Sequence, residues 1–169
     1  IIILSSMASA MISLTINLAV VVVFMLFSGV KLTPYILLLP INILQLFMLA
    51  FGLALLLSTL YVKFRDIGHI WDVVIQILFY SIPIIYPLTQ VADFRVMGIA
   101  AQNIIMLNPI GQIIQDIRHN LISPVNVPTA WDIQPTIWIA ITPVILTIVI
   151  VVVGAIYFRK NSKKFAEIM

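Results

Sequence analysis

The stretch ILLLPINILQLFMLAFGLALLLSTL, residues 36–60, contains no charged side chain. A bilayer core about 30 Å thick is crossed by roughly 20 helical residues, so this stretch is long enough to span a membrane. The rest of the chain has the same character, because 63% of its 169 residues are hydrophobic and only 9% are charged. A soluble domain is about half apolar and a quarter charged. We therefore expect a membrane-embedded chain.

The charged residues divide the chain into five apolar stretches, of which four have the length of a span. These four lie at about 7–29, 36–60, 71–88 and 136–158. The fifth, 96–121, is interrupted by Asn108-Pro109. Each of its halves has about 12 residues, or roughly 18 Å of helix, which is too short to cross. The sequence therefore predicts an all-α integral membrane protein, one domain over 1–169, with four transmembrane helices and a re-entrant half-helix pair.

The second half of this pair is predicted to begin at Asn108-Pro109. Asn is a favoured N-cap residue, and Pro suits the first helical position. The following helix would be amphipathic. Its apolar face would carry Ile110, Ile113, Ile114, Ile117 and Leu121, and its polar face Gln112, Asp116, His119 and Asn120. Two alternatives stay open, an interfacial or cavity-lining helix and an ordinary surface helix outside the membrane.

The distribution of Lys and Arg predicts the orientation, because cytoplasmic loops carry an excess of both. Four spans place the tail 159–169 and the loop 61–70 on the same side, and together these hold six Lys and Arg against three on the other side. We therefore expect the tail and this loop in the cytoplasm. The re-entrant pair then faces outward.

The residue types exclude several kinds of chemistry. The absence of cysteine excludes a disulfide scaffold, a thiolate zinc site and a cysteine nucleophile. The sequence has no HExxH or GxSxG motif and no phosphate-binding GxxxxGK[ST] loop. The few basic residues are too scattered to follow a phosphate backbone. We expect neither an enzyme, nor a metal site, nor a nucleic-acid partner.

Small and polar residues recur every four positions in the first two predicted spans. They are Ser9, Ser13 and Asn17 in the first span, and Ala50, Ala54 and Ser58, with Gly52 nearby, in the second. Such residues let helices approach closely in lipid. Alternatively, the Ser–Asn stripe faces a polar conduit, whose wall would include Asn42, Gln45, Gln76 and Tyr80.

Proline and a charged loop mark the ends of the predicted helices. Pro83 removes a hydrogen bond within the third span and Pro87 ends it, while Pro143 lies inside the last span. The loop 61–70, YVKFRDIGHI, anchors the cytoplasmic end, and Asp66 is expected to cap the next helix.

Three segments in this order resemble the permease subunit of type-2 ATP-binding-cassette exporters. They are AFGLALLLSTLYVKFRDIGHI at 50–70, FYSIPIIYPL at 79–88 and MLNPIGQIIQDIRHNLI at 106–122. The chain is most similar to the branch that exports O-antigen, capsular and teichoic-acid-type polysaccharides. The resemblance covers about 1–160.

The resemblance implies a multi-pass protein of the bacterial cytoplasmic membrane that works as a homodimer. Each permease pairs with a separate ATPase subunit, which binds ATP and Mg, so this chain would hold no cofactor. The substrate would be a polysaccharide or lipid-linked glycan. Permeases of this family have six spans, and this chain would correspond to the last four, without the amphipathic N-terminal helix, the first two spans and the main coupling helix.

The resemblance also implies roles for particular residues. Contact with the ATPase is expected at Phe64, Arg65 and Asp66. Candidates for the translocation path are Ser9, Ser13, Asn17, Phe79, Tyr80 and Tyr86. The outer gate and re-entrant turn would include Asn108, Pro109, Asp116 and Arg118.

Three other functions remain open at this stage. A type-2 permease could export drugs or other hydrophobic compounds instead of glycans. A membrane scaffold or assembly protein would have no transport activity of its own. A membrane transferase would need a cluster of carboxylates or histidines, and His69 and His119 lie on opposite sides in the predicted topology.

Overall fold

The structure, a computed structural model, describes residues 2–30, 33–64, 66–122, 126–133 and 137–168. In these parts, helices account for nearly all of the regular structure. The α-helices are α1 (Ile2–Phe27), α2 (Leu39–Lys63), α3 (Ile67–Ser81), α4 (Ala101–Met106), α5 (Pro109–Leu121), α6 (Ala130–Ile133) and α7 (Ile137–Ile168). Two short 3-10 helices, Pro34–Leu38 and Leu88–Val91, precede α2 and follow α3.

Three helical segments are long and apolar enough to cross a membrane. They are Ile3–Phe27, Pro34–Lys63 and Ala140–Ser162, with 25, 30 and 23 residues. They coincide with three of the four predicted spans. The prediction of a helical chain built around long apolar helices is confirmed by these three segments.

The third predicted span, 71–88, differs from the helix that forms there. Helix α3 has 15 residues and ends at Ser81, before Pro83 instead of at Pro87. Pro83 lacks the N–H that would continue the helix, and the Ser81 hydroxyl donates to the Ile77 carbonyl within the last turn. A helix of this length measures roughly 22 Å, less than the thickness of the bilayer core. The span at 71–88 therefore stays a prediction.

The first half of the predicted re-entrant pair is also shorter in the structure. Residues Arg95–Val96 and Ile99–Ala100 form a two-stranded antiparallel hairpin, and α4 then has only six residues. The hairpin turn consists of Met97 and Gly98, both with positive φ, as a tight two-residue turn requires. A helix thus begins at Ala101 instead of at residue 96.

Helices α2 and α7 make the closest backbone contact among the long helices. A Cβ atom on Gly154 would lie 2.5 Å from the Gly52 carbonyl oxygen, and one on Gly52 would lie 2.8 Å from the Val151 Cα. Only glycine permits this approach at both positions, and small residues commonly serve this purpose in membranes. The structure supports the packing role of Gly52. Sequence analysis did not identify Gly154.

Helix α1 exposes most of its apolar surface. Phe24 and Phe27 are exposed, whereas Met25 is buried near the end of the helix. Its principal neighbour among the described elements is α2. Large exposed apolar surfaces mark sites of contact with membranes or proteins. This surface suits contact with lipid.

The small buried core lies where the short elements meet the beginning of α7. It consists of Leu88, Met106, Ala130 and Ala140, with Ile105 packed against it. These residues come from the second 3-10 helix, α4, α6 and α7. The core therefore fixes the short helices beside α5, whose polar side chains form the candidate site.

Candidate functional site

Helix α5 begins as the Asn108-Pro109 sequence predicts. The Asn108 Oδ1 atom accepts a hydrogen bond from the Ile110 N–H at 3.0 Å, and Pro109 is the first helical residue. Gly111 allows the corner to close, because a Cβ there would lie 2.9 Å from the Ile105 carbonyl oxygen. The predicted N-cap is confirmed.

The polar face of α5 is turned into the protein. Gln112 is 2% exposed and Gln115 is 3% exposed, and Asn120 is also buried. Ile113 and Leu121 are buried too, so both faces have protein neighbours. An ordinary surface helix would expose its polar face to water. The arrangement therefore favours the cavity-lining alternative.

Side chains of α5 bind backbone carbonyls of the elements around it. The Gln112 Nε2 atom donates to the Ala140 carbonyl of α7 at 3.0 Å, and Gln115 Nε2 donates to the Pro128 carbonyl at 2.9 Å. These bonds join residues 28 and 13 positions apart in the sequence. They position α5 against α7 and the segment 126–133.

His119 and Asn120 extend this network to a loop and to α2. His119 Nδ1 lies 2.6 Å from the Val127 carbonyl oxygen. A carbonyl only accepts, so Nδ1 carries the proton and Nε2 is left as an acceptor in the neutral ring. Asn120 Nδ2 donates to Asn42 Oδ1 at 3.4 Å. The polar face of α5 is thereby joined to α2.

A cavity of about 370 Å³, here named the polar cavity, lies between α2, α5 and the beginning of α7. Its described lining residues are Tyr35, Leu38, Ile41, Asn42, Gln45, Gln112, Asp116, His119, Asn120, Thr129, Trp131, Ala140 and Val144. Ligand pockets in proteins measure roughly 300–1,000 Å³. The polar cavity is thus large enough for a small ligand.

Three polar atoms at the polar cavity are buried and find no hydrogen-bond partner among the described residues. They are Gln45 Nε2, Gln112 Oε1 and Asp116 Oδ1. Leaving such an atom unsatisfied costs about 1–3 kcal/mol. Buried polar atoms in proteins are almost always paired. Water or a ligand in the polar cavity would provide the hydrogen-bond partners that these three atoms lack.

The pKa values of Asp116 and Asp132 are shifted in opposite directions, and both residues lie outside the three candidate spans. Burial raises the pKa of Asp116 to about 6; the His119 charge opposes this shift and the Asp132 charge adds to it. The pKa of Asp132 is lowered, because its Oδ2 accepts hydrogen bonds from the Thr129 N–H and hydroxyl. Asp116 at the polar cavity is therefore protonated more readily than Asp132 in its loop.

Arg118 is directed away from the polar cavity. Its Nη1 atom donates to the Pro83 carbonyl, and its Nη2 atom donates to the Ile84 carbonyl at 2.7 Å. The helical hydrogen bonds end at this point of the chain, because α3 ends at Ser81. Arg118 thus satisfies two carbonyls of an irregular segment. The predicted gate residues Asp116 and Arg118 therefore face different parts of the protein.

The predicted path residues do not line the polar cavity. Ser9, Ser13 and Asn17 lie on the exposed surface of α1. Phe79 and Tyr80 are exposed on α3, with ring centroids 5.6 Å apart. The Tyr86 hydroxyl donates to the carbonyls of Tyr80 and Ser81 at 3.4 and 3.3 Å. The role of all six residues in a path stays a prediction.

The predicted contact with the ATPase lies at the turn between α2 and α3. Phe64 and Asp66 are exposed, and Arg65 lies outside the described residues. The Lys63 Nζ atom lies 5.3 Å from the centroid of the Phe64 ring. Asp66 occupies the N-cap position of α3, as expected, but its side chain makes no capping hydrogen bond.

Some cavity residues were indicated by sequence and others were missed. Asn42 and Gln45 had been proposed for a polar wall, and both line the polar cavity, whereas Gln76 is exposed on α3. Tyr35 and Trp131 were not identified. The position of Trp131 was indicated by the sequence, because Thr129 and Asp132 flank it in a capping pattern that predicts the beginning of a helix.

The polar cavity presents polar and aromatic side chains to a ligand. Within the described parts of the chain, no group of three or more His, Asp or Glu side chains could hold a metal ion. Comparison with known proteins gives no matching family model and no matching curated protein. The resemblance to exporter permeases therefore stays a prediction.

Proposed function

We propose that this chain is the permease part of an ATP-driven type-2 exporter that moves a polysaccharide or lipid-linked glycan across the bacterial cytoplasmic membrane. The observation that carries the proposal is the order of three segments, 50–70, 79–88 and 106–122, in one chain. Three long apolar helices support a membrane location. ATP hydrolysis would occur in a partner subunit, so the chain itself is a transport component and not an enzyme.

The bonds of Arg118 support the re-entrant part of the proposed topology. Irregular backbone at membrane depth is tolerated only where protein or water satisfies its polar groups. The carbonyls of Pro83 and Ile84 are satisfied by Arg118. The re-entrant pair of about 96–121 would then enter and leave the membrane on the outer side, while α3 together with residues 82–88 would form the third predicted span.

The exposed side chains of Phe64 and Asp66 support the proposed coupling to the ATPase. Phe64 and Asp66 are free to meet a partner at the end of α2. Helix α2 contacts α7 through Gly52 and Gly154, and its Asn42 binds Asn120 of α5. A movement of the turn would therefore reach both the second long helix and the polar cavity. The path for the glycan would form between two copies of the permease.

The test is an export assay in the cell that encodes this chain. Arg65→Ala and Asp66→Ala are introduced together into the gene, and glycan on the cell surface is quantified. We expect export to fall at least about tenfold while the amount of membrane-inserted protein is unchanged, because a contact that transmits the ATPase movement is lost. Asp93→Ala, in an exposed loop after the second 3-10 helix, is the matched control.

Each contrary outcome contradicts a defined part of the proposal. Unchanged export would remove the coupling role of the turn 64–66. Normal glycan with reduced efflux of a lipophilic dye would support the permease for hydrophobic compounds. Normal glycan and dye efflux after deletion of the gene would contradict transport altogether and favour a scaffold.

A further inference from the structure

Among the buried polar atoms that line the polar cavity without a hydrogen-bond partner, acceptors outnumber donors. Two buried acceptors, Gln112 Oε1 and Asp116 Oδ1, have no hydrogen-bond partner among the described residues. The unpartnered donor is Gln45 Nε2. Gln112 is 2% exposed, so its free oxygen is a buried group with no access to bulk water. A ligand rich in donors would satisfy this cavity.

The charged side chains around the polar cavity also favour a ligand that donates hydrogen bonds. Of its described lining residues, none is Lys or Arg. Asp116 lines it, Asp132 lies close enough to influence Asp116, and His119 also belongs to the lining. Arg118 is bound to the carbonyls of Pro83 and Ile84. At neutral pH the cavity therefore attracts a cation.

Aromatic side chains at the polar cavity favour an organic cation over a metal ion. Tyr35 and Trp131 line it and are 48% and 58% exposed, so they lie at its mouth. The Tyr35 ring also packs edge-on against the His119 ring, with centroids 5.6 Å apart. The faces of such rings attract ammonium groups. The apolar wall, with Ile41 and Val144, suits a carbon stem.

We propose that the polar cavity binds a primary ammonium group, which donates to Asp116 and Gln112 while its carbon stem lies against Tyr35 and Trp131. A primary ammonium has three donors and no acceptor, so it can donate to both unpartnered acceptors. A volume of about 370 Å³ accommodates the two-carbon stem of an ethanolamine group. The amine belongs either to a free small molecule or to the headgroup of phosphatidylethanolamine. This inference is independent of the proposed transport function.

The first test uses the full chain in phosphatidylcholine nanodiscs at neutral pH, titrated calorimetrically with ethanolamine. We expect saturable binding. Choline, whose nitrogen has no N–H donor, binds at least about tenfold more weakly because the charge-assisted hydrogen bonds are lost. Ethylene glycol, which is neutral, does not compete. Equal binding of choline or effective competition by ethylene glycol would overturn the proposal.

Variants show whether binding occurs in this cavity. Asp116→Asn keeps the shape of the side chain and removes its charge, so we expect at least about tenfold weaker ethanolamine binding. Asp93→Asn, on an exposed loop, leaves binding unchanged. Thermal unfolding of Asp116→Asn without ligand confirms that the variant is folded. Unchanged binding by folded Asp116→Asn would contradict the proposal.

The source of the amine is distinguished by native mass spectrometry of the chain released from mixed-lipid nanodiscs. Retention of phosphatidylethanolamine over phosphatidylcholine, lost in Asp116→Asn, assigns the cavity to a lipid headgroup. Binding of ethanolamine without retention of phosphatidylethanolamine assigns it to a free amine. Failure of both probes to bind the wild-type chain would overturn the proposal.

Discussion

Asp116 shows how the position of one residue determines its chemistry. One of its carboxyl oxygens is buried without a partner, and burial raises its pKa to about 6. The neighbouring Arg118 does not compensate, because it is bound to two carbonyls on the other side of α5. The protonation of Asp116 should therefore influence the stability of the fold.

The stability of the wild-type chain is expected to fall between about pH 4 and pH 6, relative to Asp116→Asn. The folded-state pKa lies above the ordinary value of 3.8, so the folded chain holds this proton more tightly than the unfolded chain. The stabilising contribution is complete below 3.8 and is lost as the pH rises through about 6. The difference reaches about 3 kcal/mol at most.

Thermal unfolding in detergent micelles across this pH range measures the difference. Asp93→Asn, with an exposed carboxyl, should keep the pH dependence of the wild type. Parallel curves for the wild type and Asp116→Asn would contradict the assigned burial of Asp116.

At the scale of elements, the sequence signals that succeeded are local. The apolar runs predicted the long helices, and Asn108-Pro109 predicted the beginning of α5, because both signals act within a few residues. The pairing of Gln112 with Ala140 joins residues 28 positions apart and depends on how the helices pack. Helix α3 ended early because its last turn closes before Pro83. Periodicity alone does not contain this information.

The contact between α2 and α7 should be sensitive to any side chain at Gly154. Gly154→Val places its Cβ 2.5 Å from the Gly52 carbonyl oxygen, so the helices must separate. We expect a loss of about 1–3 kcal/mol or more in the free energy of unfolding. Ala155→Val adds the same kind of side chain at the adjacent exposed position of α7 and is the matched control. Equal unfolding midpoints for the two variants in micelles would contradict the close contact.

The connection between α5 and the segment after α3 should depend on the planar guanidinium of Arg118. Its two terminal nitrogens donate to two successive carbonyls, those of Pro83 and Ile84. A Lys ammonium lacks this fixed, planar pair of donors and does not reproduce the arrangement. We expect faster hydrogen exchange of amides in residues 82–90 in Arg118→Lys and still faster exchange in Arg118→Met. Exchange in α2 serves as the internal control. Unchanged exchange in residues 82–90 would show that the connection is not maintained in the membrane.

At the scale of the whole molecule, the long helices and the short elements have different roles. Helices α1, α2 and α7 provide apolar surface for lipid, whereas α5 and α6 enclose polar groups next to α2 and α7. The apolar surface was predictable from composition. The polar cavity was predictable only in part, because Asn42 and Gln45 carried a signal and Tyr35 did not.

The central claim is that the corner before α5 faces outward while the α2–α3 turn and the end of α7 face the cytoplasm. Because the chain has no cysteine, single cysteines introduced at Leu107, Lys63 and Ser162 would be unique labels for a membrane-impermeant thiol reagent. In intact cells we predict labelling of Leu107→Cys, with Lys63→Cys and Ser162→Cys protected until the membrane is opened. Labelling of Leu107→Cys only after opening, or of Ser162→Cys in intact cells, would contradict the topology and the proposed function that depends on it.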